Sequence, residues 1–423
     1  MPRNGSDGRL RRRRGSARLG RRGFLKLSGV ATLGLLTAQA GTALTTFART
    51  NGERSGDLIK LFLCGDVMTG RGVDQVLPYP GEPRLCESYV TSAVEYVKLA
   101  ERANGPIPRP VDFAYVWGDA LEELRRARPD VRIINLETSV TSSRRCVPKG
   151  INYKMNPANI PCLKAAGIDC CALANNHVAD WGIPGLVETL ETLENAGLNG
   201  VGAGRDIAQA EAPAVIEVAG KGRVIVFSLG SVTSGIPEAW AAAEDRPGVD
   251  LLADLSARTV DRIAERVRAV KRPRDIVVAS IHWGANWGYR VPREQRVFAH
   301  ALIDEAGVDV IHGHSSHHAK GIDVYRDRPV LYGCGDFLND YEGISGYETF
   351  RGDLAVMYFL AIDPSNGRLV RFEMTPLQIR RIRLNRASRT DADWLRDTLN
   401  REGKRFGTRV ELAPDNTLTL RWR

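Results

Sequence analysis

The sequence predicts an α/β protein, and three observations support this. Short apolar runs rich in Val, Ile and Leu alternate with longer segments of helical periodicity from residue 58 onward. The first of these runs have no polar alternation, which is typical of strands covered on both faces. Residues 251–271 space their apolar side chains three and four apart, with Asp early and Arg or Lys late, as the helix dipole favours. We therefore expect a largely layered sheet with helices packed against it.

The individual elements follow from the same patterns. Apolar runs predict strands at 58–64, 131–136, 169–174, 224–229, 275–281, 308–312, 321–326 and 329–333. Periodic segments predict helices at 118–128, 157–166, 183–196, 251–271 and 293–306. Residues 78–117 are rich in Pro, Gly and aromatic residues, and we predict an irregular insertion that either borders the functional site or is a plain surface excursion. Residues 377–423 are predicted to be a small C-terminal extension that covers the sheet edge.

Residues 1–48 have the features of a twin-arginine export signal. Arg21 and Arg22 precede Phe24-Leu25-Lys26 and a mildly apolar run that is too polar for a comfortable membrane span. Small residues at 38–40 suit a signal peptidase. The alternative is a disordered basic tail followed by a membrane anchor. We therefore expect export to the periplasm, cell wall or extracellular space, the export machinery as a partner, and membrane contact only through an uncleaved signal.

The net charge of +9 belongs entirely to this segment. Residues 1–48 hold ten basic residues and one acidic residue, and the rest of the chain is balanced. No nucleic-acid-binding surface is therefore expected.

Seven cysteines without Cys-x-x-Cys spacing argue against a structural zinc site. Cys86 and Cys146 lie in predicted loops, and an exported protein could pair them.

Acidic side chains end two of the predicted strands. Asp66 follows the run "LFLC", and Glu137 ends the run "IINLE". The carboxyl ends of strands in an open α/β sheet meet at one crevice, where ligands bind. Two carboxylates from separate strands can hold one cation or bridge two. Either acid alone could equally be a helix cap or a member of an ion pair.

Six of the seven histidines lie in three segments that also follow predicted strands. They are His177 in "NNHVAD", His282 in "SIHWG", and four histidines in "VIHGHSSHH". His, Asp and Asn together are the ligand types of a catalytic metal centre. The four histidines of the last segment cannot all bind a metal. His312 faces the side of the strand opposite to that of Gly313, and His318 is expected to be solvated. His300 lies on a predicted helix and is interpreted as structural.

These motifs, in this order, resemble the CapA family of poly-γ-glutamate capsule synthesis proteins, which is related to the calcineurin-like metallophosphoesterases. The matching segments are "GDVMTGRG", "NLET", "NNHVADWG", "HWG", "GHSSH" and "GDFLND", spread over about 58–362. The resemblance implies that residues 57–376 form a metallophosphatase-like four-layer sandwich, with two packed mixed sheets flanked by helices. It also implies one or two divalent transition metal ions, of Mn, Fe or Zn.

The resemblance further assigns roles to individual residues. Asp66 and His317 would bind the first metal and Glu137 would bridge. Asn176, His282 and His314 would bind the second metal. His177 would stabilise the transition state with Asp180 behind it, and Arg71 would bind an anionic group of the substrate. This chain departs from the phosphoesterase pattern at Met68 and Glu137, where that pattern has His and Asp. The final G-H-x-H motif also differs, because His314 and His317 are three positions apart and Ser315 fills the intervening ligand position.

Two functions follow as hypotheses. One is an exported, metal-dependent hydrolase in which a metal-bound hydroxide attacks a phosphoester or a bond in an anionic polymer. The alternative is a non-catalytic partner that binds, exports or anchors the poly-γ-glutamate capsule polymer. The neutral mature chain and the nearly complete set of ligand-type residues favour the enzyme. A metal-stabilised scaffold would require a centre without an open coordination position.

Overall fold

The computed structural model describes residues 57–423, so the predicted export signal lies outside the described residues. The strands are β1 Ile59–Val67, β2 Val131–Leu136, β3 Ser139–Val140, β4 Lys154–Met155, β5 Cys170–Ala172, β6 Asn199–Val201, β7 Ala203–Gly204, β8 Ala214–Val218, β9 Gly222–Gly230, β10 Gly248–Val249, β11 Asp275–His282, β12 Val310–His314, β13 Ile322–Tyr325, β14 Arg328–Leu331, β15 Asp336–Leu338, β16 Leu354–Asp363, β17 Arg368–Ile379, β18 Leu384–Arg386, β19 Arg409–Leu412 and β20 Leu418–Arg421. The α-helices are α1 Gly72–Val76, α2 Val94–Asn104, α3 Ala120–Ala127, α4 Pro161–Ala165, α5 Gly182–Ala196, α6 Ile207–Glu211, α7 Ala257–Val270, α8 Arg293–Asp304 and α9 Arg389–Gly403. No helix among these residues is long and apolar enough to cross a membrane.

Two large sheets carry the fold. The first has ten strands in the order β19-β20-β17-β16-β1-β2-β5-β6, with β15 also paired to β1 and β18 to β17. The second has six strands in the order β13-β14-β12-β11-β9-β8. The central strands β1, β2, β5 and β6 are parallel, as are β9, β11, β12 and β14. Both sheets are mixed, because β16 joins the first and β8 and β13 join the second in antiparallel pairing.

Three apolar cores show how these layers are stacked. One core joins side chains of both sheets, including Leu61 and Ile133 of the first and Val226 and Val278 of the second. A second core covers the outer face of the ten-stranded sheet with helices that include α3 and α5. A third covers the outer face of the six-stranded sheet with α7 and α8. These three cores confirm the four-layer sandwich that the resemblance implied. Strands buried on both faces require this arrangement, with helices on the outside and a second sheet on the inside.

Two segments differ from their sequence-based descriptions. The prediction of irregular structure throughout 78–117 is wrong, because α2 lies within it. The apolar side chains Tyr96, Val97 and Ala100 of α2 are buried on one face of the helix. The many Pro and Gly residues on either side of α2 led the sequence-based prediction to miss this helical pattern. Residues 377–423 continue the ten-stranded sheet: β17 runs through the expected boundary, and β19 and β20 form its edge.

A disulfide joins the loop after β3 to the loop before α2. It connects Cys86 and Cys146, whose Cα atoms are 6.5 Å apart. The pairing that the sequence left open is therefore present. The other five cysteines are free and buried, as expected for small residues in apolar strand runs.

Candidate metal centre

The carboxyl ends of strands from both sheets meet at one place. In the larger sheet Asp66 of β1 pairs with Asn135 of β2. In the smaller sheet His282 of β11 pairs directly with His314 of β12. Because the two sheets pack face to face with these ends adjacent, acids from one sheet lie against histidines from the other. The predicted convergence of Asp66, His282 and His314 is present in the structure.

Two groups of potential metal ligands share the Asp66 carboxylate. The first consists of Asp66, His282 and His314, and the second of Asp66, His317 and Asp336. Within each group, one ligand atom per residue lies within 4.8 Å of the others, and all five side chains are buried. Two carboxylate oxygens on one residue allow Asp66 to contribute to both groups. The arrangement fits one or two divalent ions.

Glu137 lies beside these groups and belongs to neither of them. Its Oε2 and Asp66 Oδ1 both accept hydrogen bonds from the Asn135 amide, at 3.1 and 2.8 Å. The resemblance gave the bridging position to Glu137, whereas the structure gives the shared position to Asp66. Asn135 fixes the two carboxylates relative to each other, and the sequence-based prediction had not included it.

The clustered carboxylates are unfavourable without a cation. Burial, with the nearby Asp336 charge, raises the pKa of Asp66 to about 7. Burial and the charges of Asp66 and Asp336 also raise the pKa of Glu137 well above its usual range. Both shifts reflect negative charge enclosed in a low-dielectric interior. A divalent cation would offset this charge, so the residues present fit a metal ion.

A chain of hydrogen bonds fixes which nitrogen of His314 is free. His312 Nε2 donates to the carbonyl oxygen of Cys64, which can only accept. Burial lowers the pKa of His312 to about 4, so the ring is neutral and its Nδ1 accepts from the Ser280 hydroxyl at 3.0 Å. The Ser280 oxygen then accepts from His314 Nε2 at 2.9 Å. His314 therefore directs an Nδ1 lone pair toward the site, as a metal ligand must.

His282 presents the same kind of atom to the same place. Its Nε2 donates to the Asn176 amide oxygen at 2.9 Å, and its Nδ1 lies 2.8 Å from His314 Nδ1. Because Nε2 of His282 gives its proton to the amide oxygen, Nδ1 of His282 carries a lone pair. This lone pair faces the Nδ1 lone pair of His314. Burial lowers the pKa of both rings well below the usual value, so neither carries the extra proton at neutral pH. A cation relieves this contact, which supports the first ligand group.

Asp336 was not assigned a role by the sequence, and it supports the second group. β15 pairs with the end of β1 and places Asp336 opposite Asp66. Gly65 permits this approach, because a Cβ there would lie 1.6 Å from the Gly335 carbonyl oxygen. His317 Nδ1 donates to Asp336 Oδ1 at 2.7 Å. Burial opposes the charged ring, but Asp336 and Asp66 raise the pKa of His317.

His177 and Asp180 form the predicted pair next to the ligands. His177 Nδ1 donates to Asp180 Oδ2 at 2.6 Å, so Nε2 carries the lone pair and faces Glu137 Oε1 at 3.8 Å. Burial lowers the pKa of His177 to about 4. Lys149, which the sequence did not single out, contacts Asp180 Oδ1 at 2.7 Å and the Asn176 carbonyl oxygen. Its ammonium group compensates the buried Asp180 charge.

Arg71, which is predicted to bind substrate, is engaged by carboxylates of the protein itself in this structure. Its guanidinium donates to Asp340 through Nε and Nη2 and to Glu87 through Nη1. It is almost completely buried and lies 3.8 Å from the centroid of the Tyr96 ring and 4.4 Å from that of Tyr153. Three donors are occupied and no solvent-facing side remains. Arg71 supports the site from behind through Tyr153, whose ring packs against His177.

Two other histidines occupy structural positions. His318 is buried rather than solvated, because its ring packs on Tyr289 and Phe350 and its Nε2 accepts from the Gly288 amide. His300 stacks on Tyr325 and bonds to Asp323, away from the centre. The structural interpretation of His300 is confirmed.

The fold and the site together define a four-layer α/β protein with a candidate divalent metal centre between its two sheets. Residues 60–341 match the family model described as bacterial capsule synthesis protein PGA_cap. The chain belongs to this family.

Named relatives agree with that assignment. A "probable polyglutamine synthesis accessory protein" of Mycobacterium tuberculosis is 50% identical over 366 residues, covering 86% of this chain and 96% of the relative. The "PGA biosynthesis protein CapA" of Bacillus subtilis is 30% identical, covering 84% of this chain and 80% of the relative. A solved structure described as a novel phosphatase, from Mycoplasma pneumoniae, aligns with a TM-score of 0.42 at 12% identity, covering 76% of this chain and 94% of that chain.

Proposed function

We propose that this protein is an exported, metal-dependent hydrolase that acts on the anionic polymer of capsule synthesis or on a phosphoester. The observation that carries the proposal is the pair of ligand groups that share Asp66. Buried carboxylates and neutral imidazoles suit divalent transition metals such as Mn, Fe or Zn. A bound ion would supply Lewis-acid polarisation of the scissile bond.

The protein's own residues would orient the substrate and move a proton. Asp180 holds the Nδ1 proton of His177, so Nε2 is the atom that exchanges a proton with a reacting oxygen. Lys149 donates to Asp180 Oδ1 at 2.7 Å, and Tyr153 packs edge-on against the His177 ring with 4.5 Å between centroids. These contacts fix the direction of Nε2 before substrate arrives, which lowers the cost of reaching the transition state.

A non-catalytic partner of the capsule polymer is the second candidate. The relatives' names, which refer to polyglutamine or PGA synthesis and in one case to an accessory protein, support it. So does Met68, a residue without a hard ligand atom at a position where phosphoesterases have histidine. Under this function the protein would turn over no substrate, and polymer binding would not require a bound metal.

Metal content distinguishes the two candidates. Purified wild-type protein is expected to hold up to two equivalents of a transition metal, and His282→Ala combined with His317→Ala should lose both, since each ligand group loses a histidine. His300→Ala is the matched control, because it removes a histidine outside the centre. Hydrolysis of phosphodiester and γ-glutamyl substrates by the loaded protein would support the enzyme. A folded wild-type protein without metal would exclude catalysis and leave polymer binding.

Export by the twin-arginine route is part of the proposal. It rests on Arg21 and Arg22 ahead of the mildly apolar run. Changing both to Lys keeps the charge and is expected to retain the protein in the cytoplasm, as measured by cell fractionation and immunoblotting. Changing Arg13 and Arg14 to Lys is the matched control and should leave export intact. Equal export of both variants would contradict the proposed route.

A further inference from the structure

A basic cavity lies beside β4, whose Lys154 forms part of its lining. Its volume is about 350 Å³, within the range of small-ligand sites. The lining consists of three cations, one carboxylate, a disulfide cysteine and an indole ring: Arg84, Arg144, Lys154, Glu82, Cys86 and Trp181. None of these residues belongs to the ligand groups described above.

The cations of this cavity have no anionic partner in the part of the chain that the structure describes. Lys154 Nζ is 3.9 Å from the Trp181 ring centroid and donates only to the Ser143 carbonyl oxygen, at 3.3 Å. Arg84 and Arg144 are exposed at the rim and form neither an ion pair nor a side-chain hydrogen bond among these residues. Lys154, by contrast, is only 9% exposed. A largely buried ammonium group with no carboxylate at ion-pairing distance among the described residues is costly unless a ligand supplies the negative charge.

The cavity and the metal centre share one wall. Tyr153, which directly precedes β4, packs on His177, whereas the next residue, Lys154, lines the cavity. On the facing segment, Asp180 contacts His177, and the next residue, Trp181, lines the cavity. A ligand long enough to pass around this wall would contact both sites.

The disulfide fixes the two rims of the cavity. Arg84 lies two residues before Cys86, and Arg144 lies two residues before Cys146. The covalent bond therefore holds both arginines over the same opening although they come from different loops. Planar guanidinium groups held in this way are suited to bind a carboxylate through paired hydrogen bonds.

We propose that this cavity is an anion subsite that binds a free carboxylate of an acidic polymer while another unit of the same polymer lies at the metal centre. The proposal rests on the proposed function for the identity of the polymer, and it goes beyond it by naming where a second unit binds. Arg84 and Arg144 bind the carboxylate at the rim, and Lys154 supplies charge from below.

Binding of a fluorescein-labelled γ-linked glutamate oligomer, followed by fluorescence anisotropy on the exported chain, tests the subsite. Arg144→Ala is expected to weaken binding about tenfold, since one charge-assisted contact is lost. Arg145→Ala removes the same charge from the neighbouring exposed position and should stay within about twofold. Equal affinities for the two variants would overturn the proposal, because the charge alone and not the cavity would then matter. The melting temperature of each variant checks folding.

Two further arms separate this subsite from the function of the metal centre. Protein with His282→Ala and His317→Ala should retain most of its oligomer affinity, whereas Arg144→Ala should retain its metal content. Absence of metal-dependent hydrolysis in the wild-type protein, with Arg144-dependent binding intact, would refute the hydrolase and leave the subsite standing. Inorganic phosphate serves as a competitor. Saturation of the cavity by phosphate, with no oligomer binding, would overturn the assignment to carboxylates.

Discussion

Asp66→Asn is expected to remove both metal ions, while Asp336→Asn should remove only one. Asp66 contributes to both ligand groups and Asp336 to one of them. An amide has the shape of the carboxylate but lacks its charge, so the hydrogen bond from Asn135 survives while cation affinity falls. If the protein hydrolyses its substrate as proposed, kcat should drop about a thousandfold in the Asp66 variant, the equivalent of several kcal/mol. Elemental analysis and steady-state kinetics measure the two effects.

Asp323→Asn is the matched control for this experiment. Asp323 is also a buried carboxylate and accepts a hydrogen bond from His300, but it lies outside the centre. It should keep its metal and its activity, even if stability falls slightly. Full metal occupancy in Asp66→Asn would show that Asp66 is not the shared ligand and would return the bridging position to Glu137.

Arg71→Met is expected to lower the free energy of unfolding by about 3–5 kcal/mol, the usual cost of removing one partner of a buried ion pair. The reason is that Asp340 and Glu87 would lose their common cation inside the protein, and Met cannot replace any of the donated hydrogen bonds. Denaturant unfolding, monitored by tryptophan fluorescence, measures the change.

Arg125→Met provides the comparison for a surface ion pair. Arg125 pairs with Glu122, and both side chains are mostly exposed. Its removal should change stability by about 0.5 kcal/mol or less. If the Arg71 variant were as stable as the Arg125 variant, Arg71 would be free to act elsewhere, and the original prediction of substrate binding would be reinstated.

Local sequence patterns predicted the elements that carry the site. The apolar run at 131–136 coincides with β2, and the run at 275–281 differs from β11 by one residue. Side chains that directly follow such strands, including Asp66 and His282, could therefore be placed near one another. The parallel direction of the strands brings the carboxyl ends to one edge within each sheet. The packing of the two sheets, which local patterns do not specify, then places Asp66 of the first beside His282 of the second.

Contacts between distant segments were beyond the reach of these patterns. β15 has only three residues, so it has no periodicity that could reveal its pairing with β1 or the position of Asp336. Arg71 looked available for substrate because its main partner, Asp340, is 269 positions away in the chain. The Ser280–His312 relay to His314 likewise depends on the register between two strands, which the sequence does not specify.

The Cys86–Cys146 bond makes the opening of the basic cavity sensitive to its chemical surroundings. Such bonds persist in oxidising compartments and are reduced in the cytosol. Inside the cell the two loops would be joined only by weak contacts, and Arg84 and Arg144 would no longer be held over one opening. If the cavity binds an acidic polymer as proposed, this binding would therefore be stronger in an oxidising compartment than in a reducing one.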